Sequence, residues 1–151
     1  MESASMATAC ITIIIGVTVY CVSQIIEKFI IDPIHRQREV IGEIADAIVF
    51  YANVICSPGS NKNAVMDEVQ QKLRRLATML QSRSEMIPYY KIFDELKVVA
   101  NVKAVADVSK ELIYLSNSIH DRPENVEDKK VSRNSASIEK IKRWLNLKIN
   151  C

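Results

Sequence analysis

Hydrophobic and polar positions follow two regimes along this chain. Positions 3–26 hold no Asp, Glu, Lys or Arg, a charge-free run of 24 residues, and the apolar stretch ATACITIIIGVTVYCVSQIIEKFII fills positions 7–31. At about 1.5 Å per residue, a helix over the charge-free run is roughly 36 Å long, enough to cross a hydrocarbon core of about 30 Å. From Asp32 onward the apolar residues recur at spacings of three and four, the signature of amphipathic helices. The fold class predicted is all-α: a single N-terminal transmembrane helix followed by a cytosolic bundle of four to five helices.

Asp32-Pro33 joins a good capping residue to one favoured at the first helical position. A new helix, or a kinked continuation, is predicted over 33–55, ending at the breaker cluster Ser57-Pro58-Gly59-Ser60. Within it Ile34, Ile41, Ile48 and Ile55 recur every seven residues, and Gln37, Ile44 and Tyr51 lie three positions after the first three. This is a heptad seam, and isoleucine at its core positions favours three or four strands if copies meet along it. Packing on the chain's own later helices satisfies the same spacing. Counted back by sevens, the second core position falls on Ile30, Ser23, Gly16 and Ala9, and Thr12-x-x-x-Gly16 adds a small-residue pair. Ala9, Thr12, Gly16 and Ser23 are therefore the expected contacts between membrane helices, where small residues let backbones approach closely.

The later helices follow from the same pattern. Asn63 is placed to cap a helix over 64–82 with Met66, Val69, Leu73, Leu76, Ala77 and Leu80 on its apolar face. Lys72, Arg74, Arg75 and Arg83 take its other faces, and Arg74 and Arg75 are candidate contacts for an anionic ligand or lipid headgroup, although a solvated face reads the same way. Pro88 opens a short helix to about position 96, with Tyr89, Ile92, Phe93 and Leu96 expected to point inward. Asn101 caps a helix to about position 119, striped by Val102, Val105, Val108, Leu112, Leu115 and Ile119. A polar loop is expected over 124–133, then a basic amphipathic helix over 134–151 with Ile138, Ile141, Trp144 and Leu145 on one side. Its Lys140, Lys142 and Arg143 suit an anionic membrane surface or simply solvent.

Charge and composition add location. Residues 1–6 carry no base, whereas Lys28, Arg36 and Arg38 follow the apolar run closely. Lys and Arg stay on the cytoplasmic side, so residues 1–6 are expected outside, 7–31 across the cytoplasmic (inner) membrane and 32–123 in the cytosol. A cleaved signal peptide lacks support: the start MESAS holds no base and the apolar core is too long, although Cys21-x-Ser23 resembles a cleavage pair. Net charge is +2, yet positions 129–151 hold seven bases and one acid. Gly 3, Pro 4 and an aromatic fraction of 6% favour helices with short connections over sheet.

Reactive chemistry is not evident. The four cysteines form no C-x-x-C, and His35 and His120 are far apart, so neither a metal site nor a disulfide framework is expected. No phosphate loop, dinucleotide fingerprint, nucleophile elbow or H-E-x-x-H occurs. The expectation is a binding protein without cofactor: membrane lipid, a second copy, and a protein partner or anionic small molecule are its candidate partners, with no specific nucleic-acid binding.

Several segments carry a resemblance. The N-terminal anchor followed by Phe29-Ile30-Ile31-Asp32-Pro33-Ile34, Ile41-Gly42-Glu43-Ile44-Ala45 and Phe50-Tyr51-Ala52-Asn53, with the later Ile87-Pro88-Tyr89-Tyr90 and Leu115-Ser116-Asn117-Ser118, resembles a widespread group of small bacterial membrane proteins of uncharacterised function. The layout is also similar to small membrane effectors of antiviral defence, in which a cytosolic domain senses a nucleotide signal and disturbs the membrane. That likeness implies a ligand-gated, membrane-perturbing or pore-forming alternative to partner docking.

Overall fold

A computed structural model of the chain describes residues 2–59, 62–120 and 128–147. All regular structure among them is helical. Helix α1 (Glu2–Ile26) passes through one π-helical turn (Glu27–Ile31) into α2 (Asp32–Phe50), and α3 (Ala52–Cys56), α4 (Asn63–Glu85), α5 (Tyr90–Glu95), α6 (Val102–Ser118) and α7 (Asp128–Trp144) follow.

The join between α1 and α2 is a continuation rather than a new start. Pro33 has no N–H for the carbonyl of Phe29 and its ring crowds that carbonyl, which a regular α-helix cannot absorb. The backbone widens instead: the Asp32 N–H bonds the Glu27 carbonyl, five residues back. Asp32 therefore caps nothing, and its backbone stays helical at φ −57°, ψ −49°.

Four helices alternate in direction. Rising α2 positions pair with falling α4 positions: Gln37 with Ser84, Glu43 with Lys72 and Tyr51 with Glu68. On α6, Ser109 bonds the Ala77 carbonyl and Ser116 meets Arg74. On α7, Ser137 and Lys140 both reach Glu111, while Arg133 lies 4.4 Å from the ring centre of Tyr114. The end nearest α1 is thus built from the start of α2, the end of α4, the start of α6 and the end of α7. The α3 connection lies at the opposite end, where the Gly59 N–H bonds the Ile119 carbonyl.

The main core joins Ile44, Ile48, Ile55, Leu73, Leu76, Leu80, Leu112, Leu115, Ile119 and Ile141, all fully buried. A smaller core of Ile34, Ile87 and Val99, with Ile30, Tyr90, Phe93 and Val98 against it, fastens α5 to the first turns of α2. In contrast, the large apolar side chains of α1 from Ile11 to Ile26 are exposed, and α1 is long and apolar enough to cross a membrane.

Three local expectations are corrected. Asn63 does not cap α4: the cap position is Lys62, with extended backbone and no side-chain bond. Tyr51, at φ −98° and ψ 14°, breaks the expected 33–55 helix into α2 and α3. Helix α7 begins at Asp128, so positions 128–133 are helical rather than loop, because Arg133 on Tyr114 and the Asn134 amide on the Ile55 carbonyl hold that turn to the bundle. Positions 124–127 and 148–151 lie outside the described residues. Asn101 does cap α6, accepting from the Lys103 N–H at 3.0 Å.

Candidate functional site

The heptad residues are brought together inside the chain. Gln37, Ile44, Ile48 and Ile55 are fully buried, Ile34 is buried, and Ile41 and Tyr51 are half-buried against the main core. Ile34 and Gln37 meet the end of α4 and the α5 segment, and the others join the main core with α4, α6 and α7, so the seam is intramolecular and presents no stripe to a second copy. Every-seven spacing fits one helix packed on antiparallel neighbours as well as it fits a coiled coil.

Gln37 is the polar hub of this packing. Its Nε2 donates to Ser84 Oγ at 2.7 Å and to the Tyr90 hydroxyl at 2.6 Å, and its Oε1 accepts from the Ala100 N–H at 3.4 Å. Tyr90 in turn donates to the Ala100 carbonyl, and Arg38 Nη2 bonds the Val98 carbonyl at 2.9 Å. The amide thus ties α2 to the end of α4, to α5 and to the following loop. Burial pushes the Tyr90 hydroxyl above its ordinary pKa of 10.0, with Asp94 reinforcing and hydrogen bonds to Gln37 and Ser84 opposing.

A pH effect follows. As pH passes 10.0 the unfolded chain releases the Tyr90 proton while the folded chain still holds it. The stability is therefore present below pH 10 and is lost as pH rises through the raised value. Tyr90→Phe is expected to cost about 1 kcal/mol at pH 7 through the lost bond to Ala100, and the gap to the parent should narrow above pH 10. Melting curves of both proteins across pH 8–11 check this.

Beside Gln37 a cleft of about 720 Å³ opens at the α1 end of the bundle. Ile41, Val99, Trp144 and Leu145 supply apolar lining, and Glu95, Lys97 and Asn146 are polar members of its rim. Two helix ends create it. Lys97 closes α5 at φ 56° with Val98 N–H on the Phe93 carbonyl, and Asn146 closes α7 at φ 52° with Leu147 N–H on the Lys142 carbonyl. Both are left-handed caps of the Schellman kind, natural for Asn and uncommon for Lys. Across the cleft, Asn101 Nδ2 holds both Asp94 carboxylate oxygens, at 3.1 and 2.9 Å. The cleft thus combines an apolar lining that includes half-buried Trp144 with polar groups that include exposed Arg38.

The other candidate residues separate. Arg74 donates to Asn117 Oδ1 at 2.7 Å and to Ser116 Oγ at 3.3 Å, while Lys140 pairs with Glu111 at 3.2 Å and Lys142 with Glu139 at 2.9 Å. These three are held by partners in the chain, whereas Arg75 and Arg143 face solvent. On α1, Ala9, Thr12, Gly16 and Ser23 are exposed, and a Cβ at Gly16 would meet nothing within 4 Å. No cluster of three or more His, Cys, Asp or Glu able to hold a metal occurs among the described residues. On α5 the expected inward set is corrected: Phe93 and Tyr90 pack inward, and Tyr89, Ile92 and Leu96 are exposed.

No protein-family model, curated protein or solved structure matches the chain. The resemblance to small bacterial membrane proteins gains no support from these comparisons. The cleft itself was out of reach of sequence reasoning, because Ile41, Lys97 and Trp144 are brought together only by the antiparallel order of α2 and α7 around α5.

Proposed function

We propose that this chain is a single-pass membrane protein of the cytoplasmic membrane, its N-terminus outside, whose cytosolic bundle binds a protein partner close to the bilayer. The observation that carries the reading is the contrast between α1 and the rest. Ile11, Ile13, Ile14, Ile15, Val17 and Val19 are 57–66% exposed, while the bundle closes its own core without them. Apolar surface on that scale, all round one helix, is matched by lipid and not by water. The partner segment that suits the cleft carries an apolar anchor for Ile41 and Trp144 and polar groups for Lys97 and Glu95. In this reading any self-association would run through α1, since the α2 seam is occupied. A gated membrane-perturbing role would use the same open edge of Ala9, Gly16 and Ser23.

The test is photocrosslinking from Asn146 in full-length protein solubilised from its native membrane. One stoichiometric partner, lost on Ile41→Lys while the helical spectrum is kept, supports the reading. A freely water-soluble chain, or crosslinks to further copies alone, ends it.

A further inference from the structure

The segment between α4 and α6 is apolar on both sides. Its inner side, Ile87, Tyr90 and Phe93, packs on Ile30 and Ile34 in the smaller core. Its outer side is exposed: Met86, whose sulfur meets Arg83 Nη1 at 4.0 Å, is 52% exposed, Tyr89 78%, Ile92 54% and Leu96 65%. Ile92 and Leu96 lie four apart on one helical side, with Tyr89 at the left-handed entry to the helix and Met86 before it, so four exposed apolar side chains crowd one short segment. A left-handed backbone at Tyr89 (φ 52°) and Lys97 (φ 56°) brackets the helix and turns it out of line with α4. Globular bundles rarely spread such a patch at one end without an occupant.

What occupies it is indicated by where the fold puts it. Helix α5 is clamped to Ile30 and Ile34 by packing, and to Gln37 and Arg38 by the Tyr90 and Val98 bonds. Ile34 lies eight residues beyond Ile26, the end of the charge-free helix, which is about 12 Å along a helical axis. The stretch between adds exposed Phe29 and Ile31, so apolar surface runs from α1 to the level of α5. Tyr89 pairs an apolar ring with a hydroxyl, as interfacial residues do, and exposed Lys91 and Lys97 share the segment with exposed Glu85 and Glu95.

We infer that the outer face of α5 is a second membrane contact: Met86, Tyr89, Ile92 and Leu96 enter the headgroup and acyl boundary of the leaflet that α1 leaves. The inference rests on the reading of α1 as a membrane helix. With α1 and α5 both engaged, the bundle meets the bilayer at two points and its tilt is fixed. The cleft, which shares Lys97 with this segment, then opens along the membrane surface. Its partner would accordingly be met at the membrane rather than in bulk cytosol.

The experiment uses the full chain in vesicles of phosphatidylcholine and phosphatidylglycerol with brominated acyl chains, which quench indole on contact. Trp144→Phe removes the one native indole, and a single reporter is then introduced by V19W in α1, by Y89W or I92W in α5, or by F50W at the far end. Strong quenching of the V19W and I92W proteins, at least threefold above F50W, is expected. Ile92→Ser with Leu96→Ser should then halve the quenching of the Y89W protein while leaving V19W unchanged. Quenching of V19W with I92W no higher than F50W overturns the α5 contact and leaves the anchor standing, freeing that face for a protein. An unquenched V19W protein overturns the anchor itself and the inference with it.

Discussion

Truncating Ile44 to alanine is expected to destabilise the bundle by about 2–5 kcal/mol, the usual range for emptying a buried aliphatic site. Ile44 is fully buried in the core shared by α2, α4 and α6. For a bundle of this size, that corresponds to a fall in Tm of roughly 10–25 °C in circular dichroism of the detergent-solubilised chain. The mass of the solubilised particle should not change. Gly16→Leu should do the reverse, leaving Tm alone and converting any α1-mediated oligomer to single copies, since a Cβ at Gly16 meets nothing in its own chain. An Ile44→Ala protein that keeps its Tm but loses mass would return the heptad seam to an oligomer interface.

The second large effect is at Gln37. Removing its side chain as Gln37→Ala deletes bonds to Ser84, Tyr90 and Ala100 together and leaves a void beneath them. Losing several partners at one buried amide is worth about 3 kcal/mol, more than the roughly 1 kcal/mol expected for Ser84→Ala. The damage should also be local. Amide exchange at Ala100 should accelerate before that at Leu112 or Leu76, because α5 and its loop are held by this network and the main core is not. Uniform acceleration along α4 and α6 would show instead that Gln37 supports the whole bundle.

Most of the helices were legible because their apolar residues repeat at three and four and each repeat found one buried face. Val69, Leu73, Leu76 and Leu80 on α4 and Val105, Val108, Leu112 and Leu115 on α6 are buried as that rule requires. Periodicity cannot say whose surface a stripe meets, which is why Ile34, Ile41 and Ile48 suit an oligomer and an intramolecular core equally. It also fails where a helix is too short to own a single apolar side. At α5 and its two ends, Tyr90 and Phe93 lie inward and Tyr89, Ile92 and Leu96 outward, whereas the expected inward set mixed the two. Cap chemistry was half legible: Asn101 found the Lys103 N–H, whereas Asn63 lies inside its helix. The neighbours of the basic residues were not legible either. Lys140 and Lys142 read as a free charged face, but Glu111 and Glu139 stand within 3.2 Å of them in the folded chain.

The widened turn at Glu27–Ile31 has a mechanical consequence. Proline in a helix often leaves a hinge, yet here the rod from Glu2 to Phe50 keeps hydrogen bonds through the join, and Ile30 and Ile34 are gripped from the side. Twist of the proposed membrane segment would therefore be carried through the join rather than absorbed at the proline, and would turn the bundle with it, like the bit of a key.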